Sequence, residues 1–74
     1  MKEMRMIPCI PGYRVMYKGT DVATVKRNGE VVWEHDLGKV SSANPYGKSY
    51  ADILPEAVLH HVARFSNSII KEVS

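Results

Sequence analysis

The sequence predicts an α+β fold: a three-stranded antiparallel β-sheet, connected as a meander, packed against one C-terminal amphipathic helix. Val, Thr, Tyr and Trp are enriched between Tyr13 and His35, where two turn signals divide the chain into three strand-like runs. From Pro55 to about Glu72, apolar residues recur at the 3.6-residue period of a helix. Consecutive strands followed by a helix are typical of the α+β class.

The turns define the strands and their register. Asn28 and Gly29 both tolerate the positive φ angles of a type I′ hairpin turn, and Gly19 with Thr20 forms a second, less specific turn. If both turns have two residues, one sheet face carries Tyr13, Val15, Tyr17, Val22, Thr24, Lys26, Val31, Trp33 and His35. The opposite face then carries Arg14, Met16, Ala23, Val25, Arg27, Glu30, Val32 and Glu34.

The 74 residues suit one small domain, 1–74. Pro8, Pro11 and Gly12 interrupt the first stretch, which therefore reads as an arm or a short edge strand. Pro55 suits the first turn of the main helix, and Ser49 can cap a short turn before it. The predicted parts are an N-terminal arm or edge strand (1–12), the sheet (13–35), a loop (36–49) and the C-terminal helix (50–74). The predicted core comprises Val15, Trp33, Val62, Phe65 and Ile69.

Composition excludes several classes of protein. A hydrophobic fraction of 45% and a charged fraction of 24% are typical of a globular domain. The net charge of +2 is too small for charge alone to drive nucleic-acid binding. No apolar run approaches the roughly 18 residues of a membrane span, so we predict a cytoplasmic protein with no membrane partner. Cys9, between Ile7 and Ile10, is expected to be a small buried hydrophobe.

Several patterns resemble reactive sites without meeting their requirements. The stretch from Ser42 to Ser49 resembles the end of a phosphate-binding loop, but Ser42 replaces the first glycine and Pro45 has no N–H to donate. His60 and His61 are adjacent, so on a helix they point about 100° apart and cannot share one metal ion. A chain this short also has little room for a substrate pocket. We therefore predict no cofactor, no metal site and no enzymatic activity.

Two surfaces are candidates for binding. One is a polar and basic helix stripe, spaced three or four residues apart, which is either a solvated face or a contact strip. It comprises His60, Arg64, Asn67 and Lys71. The other is the sheet face that the helix leaves uncovered. If the helix packs on the Trp33 face, the N-terminal arm either covers the other face or leaves it as an amphipathic patch. That patch would comprise Arg14, Met16, Val25, Arg27 and Val32.

Two short segments, Ile10 to Tyr13 and Asn28 to Val31, resemble motifs that precede some phage homing endonuclease domains. The segments are short, and no nuclease domain follows them in the sequence. The resemblance therefore assigns no role to individual residues.

The leading functional hypothesis is a small non-enzymatic regulatory protein that binds a larger protein and modulates its activity. Apolar groups framed by arginines are typical of protein interfaces. In size and layout the chain is similar to phage-type regulators or inhibitors of host machinery such as RNA polymerase. The predicted partner contacts are Arg14, Arg27, Glu34, Arg64 and Lys71.

The alternative is a nucleic-acid-binding module that uses the basic helix stripe. In that function His60, Arg64 and Lys71 would act together with Lys39 and Lys48 from the loop. Such binding weakens steeply with salt, because phosphate contacts release counterions. Either function is compatible with a monomer or a weak dimer, since a domain this small buries only about 60% of the surface of its unfolded chain.

Overall fold

The computed structural model describes residues 3–73, which form the predicted α+β fold with an antiparallel sheet and a C-terminal helix. The main sheet has four sequential strands rather than three: β1 (Met4–Pro8), β2 (Gly12–Tyr17), β3 (Thr20–Lys26) and β4 (Val31–Trp33). A separate two-stranded ribbon consists of β5 (His35–Asp36) and β6 (Lys48–Ser49). The helices are α1 (Tyr50–Ile53) and α2 (Glu56–Val73).

The fourth strand is β1, which lies in the stretch predicted to be an arm or a short edge strand and extends the sheet at its edge. Pro8 lies opposite Tyr13 of β2, and Cys9 donates its N–H to the Gly12 carbonyl at 2.8 Å. Bonds to one neighbour recur at every second residue of an antiparallel strand, so the nitrogen of Pro8 points away from β2. The proline therefore removes no hydrogen bond from the ladder, and the strand continues through it.

A β-bulge between β2 and β3 reverses the predicted faces of β3. Met16 lies opposite Asp21 whereas Val15 lies opposite Ala23, so Val22 is an additional residue in β3. Shifting the register by one residue exchanges the two faces of a strand. The predicted faces beyond the bulge are therefore wrong: Ala23 and Val25 face the core, and Thr24 and Lys26 face outward.

Both hairpin turns lie near their predicted positions but differ in detail. The β2–β3 turn is Lys18–Gly19, with φ angles of 51° and 81°, one residue earlier than expected. The β3–β4 connection has three residues, Arg27–Gly29, because Lys26 pairs with Glu30 through an N–H···O bond of 2.7 Å. Gly29 has a φ of 93°, as expected for the last residue of a three-residue hairpin loop. The three-residue loop shifts the pairing of β4 by one residue relative to the predicted two-residue turn. This shift compensates for the bulge in β3, so the core face of β4 is the predicted one.

The helix α2 packs on the sheet face that carries Trp33. Of the predicted core residues, Val15 and Val62 are buried, and Trp33, Phe65 and Ile69 are partly buried against the same cluster. The aromatic rings of Tyr13 and Phe65 meet edge to face, with centroids 4.9 Å apart. The buried cluster consists of Met4, Val15, Val22, Ala23, Val25, Val58 and Val62.

The segment 36–49, predicted to be a loop, is closed at its base by the β5–β6 ribbon. His35 lies opposite Ser49, and Asp36 lies opposite Lys48. Gly47 has a φ of 83°, and a side chain there would overlap the Asp36 carbonyl, so the close approach at the base depends on glycine. The expected irregular loop is thus confined to 37–47, beginning with a 3-10 turn.

The two helices begin as the sequence predicts. The Ser49 hydroxyl accepts a hydrogen bond from the Ala51 N–H at 3.2 Å, which caps α1. Tyr50 donates its N–H to the Glu34 carbonyl at 3.0 Å and so ties α1 to the end of β4. Pro55 separates α1 from α2.

Candidate binding surfaces

The sheet face opposite α2, here called the open face, carries side chains that are exposed or half-buried. One row of side chains crosses all four strands: Ile7, Arg14, Thr24 and Val32 lie opposite one another in turn. The apolar side chains at the two ends of this row are 37% (Ile7) and 40% (Val32) exposed. The open face comprises Arg5, Ile7, Arg14, Met16, Asp21, Thr24, Lys26 and Val32.

The charges of the open face are largely arranged in ion pairs. Arg14 Nε lies 3.3 Å from Asp21 Oδ2, and Lys26 Nζ lies 3.5 Å from Glu30 Oε1. Exposed pairs of this kind contribute little to stability, because solvent screens them. They do reduce the net positive charge on the face, so its distinctive property is exposed apolar surface within a charged frame.

Three predicted patch residues lie on the open face, and two do not. Arg14, Met16 and Val32 are placed there, whereas Val25 is buried in the core because of the bulge. Arg27 lies in the β3–β4 loop, where its N–H approaches the Pro11 carbonyl at 3.3 Å. The arginine therefore lies at the end of the sheet and is not part of its face.

Five residues of the open face are absent from the predicted patch: Arg5 and Ile7 of β1, and Asp21, Thr24 and Lys26 of β3. The sequence predicts Thr24 and Lys26 on the opposite face, and for residues 1–12 it allows either an arm or an edge strand, so it gives Arg5 and Ile7 no face. The alternation of Met4, Arg5, Met6 and Ile7 was the available signal, since side chains of a strand point alternately to its two faces.

The other predicted partner contacts lie on different sides of the domain. Arg64 and Lys71 are exposed on α2, which is the layer opposite the open face. Glu34 is exposed between β4 and β5. Because Arg14 lies on the sheet and Arg64 on the helix, a single flat partner surface cannot contact all five predicted residues.

The residues of the alternative nucleic-acid site lie on two parts of the chain. His60, Arg64 and Lys71 are exposed along α2, whose second half contacts the β3–β4 loop through Ser66. Lys39 and Lys48 belong to the β5–β6 region, which follows the other end of β4. The helix stripe and the two lysines therefore belong to separate elements of the domain.

Two depressions border the Tyr13–Phe65 ring pair. One, of about 360 Å³, is lined by His61, Arg64 and Phe65. The other, of about 370 Å³, is lined by Pro8, Cys9, Gly12, Tyr13 and Arg27. Both open widely to solvent, so neither encloses a ligand in the manner of a substrate pocket.

Cys9 does not occupy the buried position expected from the sequence. The turn from Cys9 to Gly12, which contains a cis Ile10–Pro11 peptide bond, places the thiol at the end of the sheet. Its side chain is half-exposed and lines the second depression. The prediction of a small core residue is therefore wrong.

The loop 37–47 carries a second group of exposed apolar side chains. Leu37, Val40 and Tyr46 are 75%, 52% and 76% exposed. Ser41 and Asn44 exchange two backbone hydrogen bonds of 3.1 Å, which hold the tip of the loop. Loops of this length with closed ends often carry functional residues.

Within residues 3–73, no three His, Cys, Asp or Glu side chains lie close enough to hold a metal ion. In the same range, no helix is long and apolar enough to cross a membrane. The chain matches no known protein family, and neither curated proteins nor solved structures show significant similarity to it.

Proposed function

We propose that this chain is a protein-binding domain that docks through the open face of its four-stranded sheet on a larger protein. The observation that supports this proposal is the uncovered row from Ile7 to Val32, in which exposed apolar side chains flank Arg14 and Thr24. In a domain of 74 residues, leaving one sheet face uncovered forgoes stabilising burial. Contact with a partner would restore that burial.

The composition of the open face favours a protein over a nucleic acid. Arg14 and Lys26 are paired with Asp21 and Glu30, so few positive charges remain for phosphates. The exposed Ile7 and Val32 side chains, and the half-buried Met16, gain little from a phosphate backbone but much from an apolar protein patch. The proposed partner surface is therefore apolar at its centre, with charges of both signs around it.

The proposed consequence of docking is regulation of the partner. Both depressions beside Tyr13 and Phe65 open widely to solvent, so we assign the activity that changes to the partner. Action as a phage-type regulator or inhibitor of machinery such as RNA polymerase remains a prediction.

The experiment begins with affinity capture of the partner, followed by titration calorimetry with the purified pair. The variant M16Q/V32T makes two open-face residues polar at nearly constant size. We expect its affinity to fall about tenfold or more, because desolvated apolar contacts dominate interface energies. The matched control, L37Q/V40T, makes similar changes in the exposed loop and should bind within about twofold of the wild type.

A second pair of variants separates the two layers of the domain. R5A/R14A removes two arginines from the open face, and R64A/K71A removes two cations from α2. The proposal requires a larger loss of affinity for the first. If R64A/K71A or L37Q/V40T weakens binding more than the open-face variants do, the open face is not the docking surface.

Nucleic-acid binding is the competing outcome. It would appear as captured material that is lost on nuclease treatment, with an affinity that falls steeply as salt increases. In that case R64A/K71A should reduce both the affinity and its salt dependence, and the M16Q/V32T variant should bind normally.

A further inference from the structure

The outer edge of β1 presents unpaired backbone groups. Lys18 donates its N–H to the Glu3 carbonyl at 2.8 Å, and Cys9 donates to the Gly12 carbonyl at 2.8 Å. In an antiparallel ladder every second residue bonds to the same neighbouring strand. These bonds at the two ends of β1 therefore mean that the backbone groups of Glu3, Arg5, Ile7 and Cys9 point toward β2. The N–H and C=O groups of the residues between them point away from the sheet.

The outward groups form a short template for another strand. They are the N–H and C=O of Met4 and of Met6, and the C=O of Pro8. None of the backbone bonds formed between separate elements in residues 3–73 reaches Met4 or Met6. Strand edges of this kind pair readily with further strands.

We infer that the strand which pairs with this edge is β1 of a second copy of the chain, in antiparallel orientation about a two-fold axis at Met6. Met6 then faces Met6 of the second copy and exchanges two hydrogen bonds with it. The Met4 N–H of each copy donates one further hydrogen bond to the Pro8 carbonyl of the other copy. The junction has about four interchain hydrogen bonds.

The side chains favour the register with the axis at Met6 over the register with the axis at Arg5. A two-fold axis at Arg5 would also satisfy Met4 and Met6, but it would place two arginines directly opposite each other, where like charges repel. The axis at Met6 places Arg5 opposite Ile7 instead. Pro8 has no N–H to donate, so it limits the junction to a short, closed contact.

Met6 is half-buried at the sheet edge, where it packs against the core cluster of its own chain. In an antiparallel junction, directly opposite side chains lie on the same face, so the two Met6 side chains meet on the helix side. Both α2 helices then lie on one side of a continuous sheet. The two open faces lie together on the other side, which doubles the proposed docking surface.

The test is sedimentation velocity of the wild-type chain over a wide range of concentration, compared with two variants at one position. M6P removes the outward N–H without removing a bond to β2, and M6A removes the same side chain while keeping the N–H. We expect the wild type and M6A to dimerise. M6P should dimerise at least about tenfold more weakly than M6A, because each dimer loses two hydrogen bonds.

Cysteine cross-linking tests the register and does not depend on M6P folding. In a C9S background, M6C should form a disulfide-linked dimer, since hydrogen-bonded residues facing each other have Cα atoms about 5.5 Å apart. R5C should cross-link poorly. A wild type that stays monomeric at the highest concentration, equal dimerisation of M6P and M6A, or preferential cross-linking of R5C would each overturn the inference. None of these outcomes bears on binding of a different protein by the open face.

Discussion

The Ser66 hydroxyl donates a hydrogen bond to the Gly29 carbonyl and joins α2 to the β3–β4 loop, 37 residues earlier in the chain. Ser66 is a buried polar residue on the sheet side of α2. Gly29 also packs directly against Ile70, one turn further along the helix. The contact therefore fixes the position of the second half of α2 along the sheet.

Replacing Ser66 by alanine should reduce the free energy of unfolding by about 1–2 kcal/mol, because the Gly29 carbonyl loses its side-chain partner. The measurement is urea denaturation followed by circular dichroism. S68A, at an exposed position of the same helix, carries the same change in helix propensity and serves as the control. Equal effects of the two substitutions would mean that the bond contributes nothing.

Alanine substitutions at Gly29 and Gly19 test the contact between the β3–β4 loop and α2. Both have positive φ, at 93° and 81°, so an alanine at either position is strained by about 1 kcal/mol. A side chain at Gly29 would overlap Ile70, whereas the space around Gly19 is open. We expect G29A to lower the free energy of unfolding by about 1–3 kcal/mol more than G19A, measured by thermal and urea denaturation. Similar losses of stability in the two variants would mean that Ile70 of α2 does not pack against Gly29.

The Tyr13–Phe65 ring contact should be detectable as a coupling energy. F65A should lower the free energy of unfolding by about 3 kcal/mol, since the side chain is large but only partly buried. In a double-mutant cycle with Y13A, the two substitutions should be coupled by about 0.5–1.5 kcal/mol. The control cycle pairs F65A with Y46A in the exposed loop, and additive effects are expected there. Additivity in both cycles would contradict the edge-to-face contact.

Features with strong local signals were predictable from the sequence. The apolar period of α2 runs for five turns, and Pro55 and Ser49 define the boundary between the two helices. The positions of the hairpins followed from Gly19 and Gly29. The core residues of α2 and the exposure of Arg14 and Val32 then followed from the choice of the Trp33 face.

Features that depend on pairing between strands were not predictable. Pro8 reads as a strand breaker, and only its outward orientation in the ladder makes it compatible with β1. In β3, both faces offer small apolar residues, so the alternation does not reveal that Val22 is a bulge. The resulting error moved Val25 into the predicted surface patch. Arg5 and Ile7 are absent from that patch because the sequence allows either an arm or an edge strand over residues 1–12.

Two substitutions of nearly equal size decide between the predicted and observed faces of β3. Val25 is fully buried beside Ala23, whereas Thr24 is half-exposed on the open face. V25T places a hydroxyl in the core and should lower the free energy of unfolding by about 1–3 kcal/mol. T24V should change it by no more than about 0.5 kcal/mol, because a valine is tolerated in a half-exposed strand position.

Urea denaturation of the two variants, with an unchanged dependence on denaturant concentration, gives the comparison directly. The bulge at Val22 requires V25T to be the damaging change. If T24V were damaging and V25T harmless, β3 would pair without the bulge, and Val25 would belong to the docking surface.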